Sequence, residues 1–200
     1  MTRSIMMGIC IALSAYAGYT QAQGDAGAGK RKAEACSGCH GEDGNATAPL
    51  FPKLAGQHAS YLARQLSDYR AQKRVDPTMN AMAESLSDAD IADLSAYFTQ
   101  FKIKAENGEP NALGERIYRA GDAARDVPAC AGCHSPTGAG NPTSVFPALG
   151  GQYSAYISKT LRDYRGGERN NDPNEIMRTI ASRLSEEEIN AVSDYVSGLK

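Results

Sequence analysis

The chain has 200 residues, a formal charge of −2 and 42% hydrophobic residues, enough for one ordinary domain or two small ones. A charge so nearly balanced carries no basic stripe of the kind a nucleic-acid binder needs, so nucleic acid is excluded as a partner.

The amino terminus carries Arg3, an apolar stretch over 5–17 and the small-residue region Thr20-Gln21-Ala22. This is the layout of a secretory signal peptide, residues 1–22, followed by the polar run 23–27. It is too short to span a membrane. Its removal takes Cys10 and leaves four cysteines, and the expected location is a periplasm-like compartment.

A short helix from about residue 26 leads into Cys36-Ser37-Gly38-Cys39-His40, and the same pattern recurs at Cys130-Ala131-Gly132-Cys133-His134. Cys-x-x-Cys-His is the attachment pattern of a c-type haem. Two thiols three positions apart can form thioethers to the two vinyl groups of one porphyrin, while the adjacent imidazole ligates the iron. The cofactors expected are therefore two covalent haems c, held by Cys36, Cys39, Cys130 and Cys133, with His40 and His134 on the irons.

The duplication extends well beyond the motif. His40 matches His134 at an offset of 94, the segment 51–57 matches 146–152 at 95, Asp76-Pro77 matches Asp172-Pro173 at 96, and Leu86-Ser87 matches Leu184-Ser185 at 98. The offset grows between helices, where loops tolerate insertions. After the motif each half offers a second helix, at 58–72 and 153–165, with apolar residues on one broad face. A third opens at Ser87 or Ser185 as a capping box and carries Ile91, Leu94, Tyr97 and Phe98, or Ile189, Val192, Tyr195 and Val196, on one stripe. No alternating strand pattern emerges, so the fold is all-α. The polar, proline-containing run 104–111 is the linker between domains 23–103 and 112–200. A domain this small has a marginal core by itself, and a buried porphyrin supplies the missing apolar volume.

What fills the sixth position on each iron separates carrier from catalyst. Met79 and Met177 both fall on the 98 offset and are the expected sixth ligands, with Met82 as runner-up in the first half. Pro52 and Pro147 keep a carbonyl able to accept the second ring proton of His40 and His134, which would fix the tautomer and orient the ligand. Gln57, Gln152, Arg70 and Arg165 contact haem propionates or stand as solvated surface. The tyrosines are expected in the cores, and His58, which has no repeat partner, on the surface. A zinc site wants four donors, and the two motifs divide six awkwardly; a thioredoxin-like centre wants a βαβ context that is absent.

Two tandem class I cytochrome c domains, each with C-x-x-C-H, a Phe-Pro-x-Leu-x-Gly-Gln segment or near variant, and a methionine before Leu-Ser, resemble the dihaem cytochrome c4 family over essentially all of the chain after residue 22. One departure is Ala148 in place of Lys53, which alters surface charge near the second haem. The resemblance implies domains of about three helices packed around haem c, related by a pseudo-twofold axis with the haems close together. It implies Cys36, Cys39, His40 and Met79 at one haem and Cys130, Cys133, His134 and Met177 at the other. It also implies a periplasmic electron carrier, loosely membrane-associated, that takes electrons from a quinol-oxidising complex or another donor and passes them to a terminal oxidase. Such a carrier has no small-molecule substrate and makes no bonds. The alternative is the dihaem subunit of a larger oxidoreductase such as a flavocytochrome sulfide dehydrogenase, whose catalytic centre would lie on another polypeptide, because no dinucleotide-binding glycine fingerprint is present here.

Overall fold

The computed structural model describes residues 24–106, 108 and 110–200; the expected signal peptide lies outside them. The first half folds as α1 (Ala26–Lys32), α2 (Glu34–His40), α3 (Ala59–Arg70), α4 (Pro77–Ala83) and α5 (Asp88–Phe98). The second follows as α6 (Ala112–Ala120), α7 (Ala131–His134), α8 (Ser154–Gly166), α9 (Ile176–Ala181) and α10 (Glu186–Ser197). Among the described residues the only β structure is two isolated bridges, Asp122 with Val127 and Asn141 with Phe146. The haem motifs form short helices of their own, α2 and α7, and the methionines of interest start two others, α4 and α9.

The same contacts build each half. α1 packs across α5 and α6 across α10, while α3 lies on α5 and α8 on α10. The first crossing works because Gly29 and Gly114 carry no side chain. A Cβ on Gly29 would lie 2.1 Å from the carbonyl oxygen of Asp93, and one on Gly114 2.0 Å from that of Ala191. Overpacking of this kind costs up to about 3 kcal/mol. Gly114→Ala is therefore expected to lower the thermal midpoint of the second domain by several degrees; an unchanged midpoint would mean that α6 and α10 have room to part.

Ala33, Leu62, Leu94 and Phe98 form the first core, with Cys36 at its edge. Ile117, Tyr118, Val127, Ile157, Leu184, Ile189, Val192 and Val196 form the second, edged by Cys130. In each half, then, one motif cysteine packs against apolar side chains.

Both capping boxes are formed, Ser87 with Asp90 and Ser185 with Glu188. Glu188 accepts the Ser185 N–H at 2.9 Å and also holds both terminal nitrogens of Arg125. The Arg125 hydrogen bonds outweigh burial and hold the Glu188 carboxyl at about 2, below its usual 4.5. A carboxylate whose folded pKa is depressed contributes stability that is complete above its unfolded pKa and is lost as pH falls toward its folded one. Stability is thus expected to decline between about pH 4.5 and 2, and Glu188→Gln to be weaker at pH 6 with a flatter acid limb in melts recorded across that range.

Candidate functional site

Each motif histidine is held by the Phe-Pro segment that follows it. His40 and His134 are both buried, and Nδ1 of each lies at hydrogen-bond distance from a proline carbonyl, 2.9 Å to Pro52 and 3.0 Å to Pro147. A carbonyl can only accept, so the proton sits on Nδ1 and the Nε2 lone pair is left for a metal. Neither Nε2 has a hydrogen-bond partner among the described residues, and neither is sealed from open space. Burial pushes both imidazoles below their usual pKa, against the opposing pull of the proline carbonyls, so both are neutral and able to ligate. Phe51 and Phe146 set their rings against the imidazoles, with centroids 6.2 and 6.3 Å apart. In this segment the phenylalanine therefore packs the imidazole and the proline orients it.

Directly after each histidine the chain must reverse. Gly41 does so at φ 79°, and Ser135 takes nearly the same conformation, φ 67° and ψ 158°, a region suited to glycine.

The four motif thiols are not joined in disulfides; Cys36 and Cys130 are half-buried, Cys39 and Cys133 exposed. Burial, with a smaller effect of Cys39, raises the Cys36 thiol, and burial pushes the Cys130 thiol up to about 11. A redox-active Cys-x-x-Cys lowers a thiol pKa to form a nucleophile, which is the opposite environment. Among the described residues no three His, Cys, Asp or Glu side chains converge as metal donors, so a protein-only zinc centre has no geometry here.

Met79 lies in the first turn of α4, its N–H capped by Asp76 at 3.0 Å. Met177 lies in the first turn of α9. Both are half-buried, whereas Met82 is 40% exposed. A neutral imidazole with a free Nε2, two thiols and a half-buried thioether in each half, set against a small apolar core, suit a covalently attached haem.

Several polar residues do different work from that expected. Gln57 and Gln152 do not stand as solvated surface; they are buried and clamp the two domains together. Gln57 donates to the Ala148 carbonyl and accepts the Ala148 N–H, both at 2.9 Å, while Gln152 donates to the Lys53 carbonyl at 2.9 Å and accepts the Lys53 N–H at 3.0 Å. Because Lys53 and Ala148 are repeat equivalents, the four bonds obey a twofold relation. Lys53 is not a surface charge. It is 4% exposed, its ammonium 4.1 Å from the Tyr153 ring centroid and bonded to Glu106, the Lys104 carbonyl and the Gly151 carbonyl. It thus ties the single linker to both domains, which explains why only one half has a lysine there. His58 is half-buried, with Nε2 2.7 Å from the Ala139 carbonyl of the other domain. Arg70 and Arg165 anchor the starts of α5 and α10 through Asp88 and Glu186. The signal for this interface was a polar glutamine kept in both halves beside a turn glycine.

A cytochrome c family model matches twice, over residues 26–102 and 112–200. The chain is 48% identical to cytochrome c4 of Pseudomonas aeruginosa, across 91% of this chain and 92% of that protein. This chain belongs to the cytochrome c4 family. The crystal structure of reduced recombinant cytochrome c4 from Pseudomonas stutzeri superposes with a TM-score of 0.86 at 44% identity, covering 88% of this chain and all of that one. A thiosulfate dehydrogenase electron acceptor of Stutzerimonas stutzeri is 35% identical across 90% of this chain and 84% of its own length. The function that goes with membership of the cytochrome c4 family is electron transfer, carried out here by two tandem cytochrome c domains.

Proposed function

We propose that this protein is a two-centre electron carrier of a periplasmic respiratory chain, with one covalent haem c in each domain. Cys36 and Cys39 would hold the first haem and Cys130 and Cys133 the second, with His40 and Met79, and His134 and Met177, as the residues that would ligate the irons. The observation that carries the reading is the repeated pairing of a buried, neutral histidine with a proline carbonyl, each histidine next to a pair of thiols. When bound, each haem supplies a reversible one-electron couple at its iron. The chain's own residues do the rest. Pro52 and Pro147 fix the histidine tautomers, Met79 and Met177 would each offer a thioether to an iron, and Gln57 and Gln152 hold the two domains in one register.

Among the described residues no helix is long and apolar enough to cross a membrane. Export through residues 1–22, with any membrane association loose, is part of the proposal. Donation to a terminal oxidase is the partner assignment favoured, with a quinol-oxidising complex as the supplier. The second reading, a subunit that accepts electrons from a dehydrogenase, is favoured by the likeness to the thiosulfate dehydrogenase electron acceptor; the flavocytochrome sulfide dehydrogenase form of that reading would show itself by copurification with a flavoprotein. The test is stopped-flow oxidation and reduction of the holoprotein by candidate oxidases and dehydrogenases at several salt concentrations. Rapid, salt-dependent oxidation by a terminal oxidase supports the carrier. Exchange with a dehydrogenase alone assigns the subunit role.

A further inference from the structure

The turn that follows each motif histidine is built from different residues in the two halves. Position 41 is glycine, at φ 79° and ψ 153°, and the Cβ it lacks would lie 2.6 Å from the Asn45 carbonyl oxygen. Its repeat equivalent is Ser135, which takes φ 67° and ψ 158°. A residue with a side chain is strained in this region and persists there only where its surroundings hold it.

What holds Ser135 is Tyr118. Four residues beyond the crossing glycine, the first half has Ala33 and the second has Tyr118. Tyr118 is fully buried in the second core, its ring centroid 5.6 Å from that of Tyr195. Its hydroxyl reaches the turn, where it donates to the Ser135 carbonyl at 2.6 Å and lies 3.5 Å from the carbonyl of His134 itself. The Ser135 carbonyl also accepts the Gly138 N–H at 3.2 Å, and Ser135 Oγ accepts the Ala139 N–H at 2.8 Å. At the first turn the matching Gly44 N–H reaches the Gly41 carbonyl at 3.1 Å, and among the described residues no side chain joins it. The half that sets a serine in a glycine conformation is thus the half that brings a buried hydroxyl to hold it. The residue before Ser135 is His134, whose Nδ1 must stay in line with the Pro147 carbonyl 3.0 Å away.

We propose that Tyr118 is a positioning residue for His134: its hydroxyl pins the strained Ser135 peptide and thereby keeps the imidazole in register with Pro147 as a ligand of the second haem. The inference rests on the dihaem reading above. A buried tyrosine hydroxyl finds an acceptor wherever one is in reach; here the acceptor is the turn attached to the histidine. With the hydroxyl gone the turn relaxes and the Nδ1–H bond to Pro147 loosens. The imidazole then donates less to its metal, which favours the ferrous state.

The test compares Tyr118→Phe with the double variant Tyr118→Phe/Ser135→Gly, both as holoproteins, by spectroelectrochemical titration and by proton NMR of the reduced state. Tyr118→Phe is expected to raise the midpoint of the second haem alone. The ferrous-to-ferric ratio at fixed potential should rise about threefold, which at 59 mV per tenfold for one electron is about 28 mV. The His134 Nδ1 proton should exchange with solvent faster, and that of His40 at its wild-type rate. Ser135→Gly removes the strain that the hydroxyl restrained, so the double variant should return to the wild-type midpoint. A direct effect of the lost hydroxyl dipole, or a general loosening of the core, would survive the second substitution. An unmoved second midpoint in Tyr118→Phe, a shift shared equally by both haems, or a shift that persists in the double variant would overturn the proposal. Should Tyr118→Phe fail to accumulate, the double variant decides: if Ser135→Gly does not restore it, the proposal is overturned as well. A pyridine haemochrome assay of the wild-type preparation separates the two layers, since fewer than two haems per chain refutes the dihaem reading itself.

Discussion

Met177→His in the holoprotein is expected to lower the midpoint potential of the second haem by on the order of 0.2 V, a fraction of the roughly 0.8 V that axial ligands command, and to leave the first nearly unmoved. Met79→His should do the converse. The soft thioether favours ferrous iron, whereas a second imidazole donates more strongly and favours ferric. The two loops differ in how they present the sulfur. Asp76 caps α4 directly, three residues before Met79. In the second half two further residues intervene, and they are accommodated by Asn174 and Glu175 at φ 53° and 57°, while Asp172 turns to the N–H and side chain of Arg178. Both methionines still end half-buried in the first turn of a short helix. Potentiometric titration of the two variants decides the assignment; a shift produced by Met82→His in place of Met79→His would move the first-haem ligand to the runner-up.

Replacing Gln57 and Gln152 together by alanine should separate the domains. The pair makes four cross-domain hydrogen bonds to backbone, and at about 1 kcal/mol each the loss is about 4 kcal/mol of docking free energy. The radius of gyration measured by small-angle scattering is expected to rise while each haem keeps its own absorption spectrum. Electron exchange between the haems should slow as well. Unchanged scattering would show that Lys53, Tyr153 and the cross-domain contacts of Arg74 and Arg169 hold the interface without the glutamines.

Much of the haem-binding half of this account was legible because the chain states it twice. The repeat picks out His40 and His134, Pro52 and Pro147, and the capping serines, and each does its work inside a single domain through local spacing. What stayed hidden depends on the other domain. Gln57 and Gln152 read as propionate contacts or solvated surface when each half is considered alone, since a repeat marks equivalent positions without saying whether they face each other. Lys53 looked like a departure from the pattern, yet it answers to the linker, of which there is only one. Arg70 and Arg165, candidates for propionates or solvated surface by matching position, anchor the starts of α5 and α10, a role their position in the repeat did not announce. Arg74 and Arg169, without carboxylate partners among the described residues, both fall in loops, where the helical stripe carries no signal. The short helices α4 and α9 were missed for a similar reason, having too few residues to establish a period.

The central claim is two haems of like ligation acting as one two-electron store. Coulometric reduction of the purified holoprotein, followed optically and then challenged with carbon monoxide, tests it most directly. The account predicts two electrons per chain, two one-electron steps, and a reduced spectrum that carbon monoxide leaves unchanged. One electron per chain, or ready carbon monoxide binding by the reduced native protein, would contradict it.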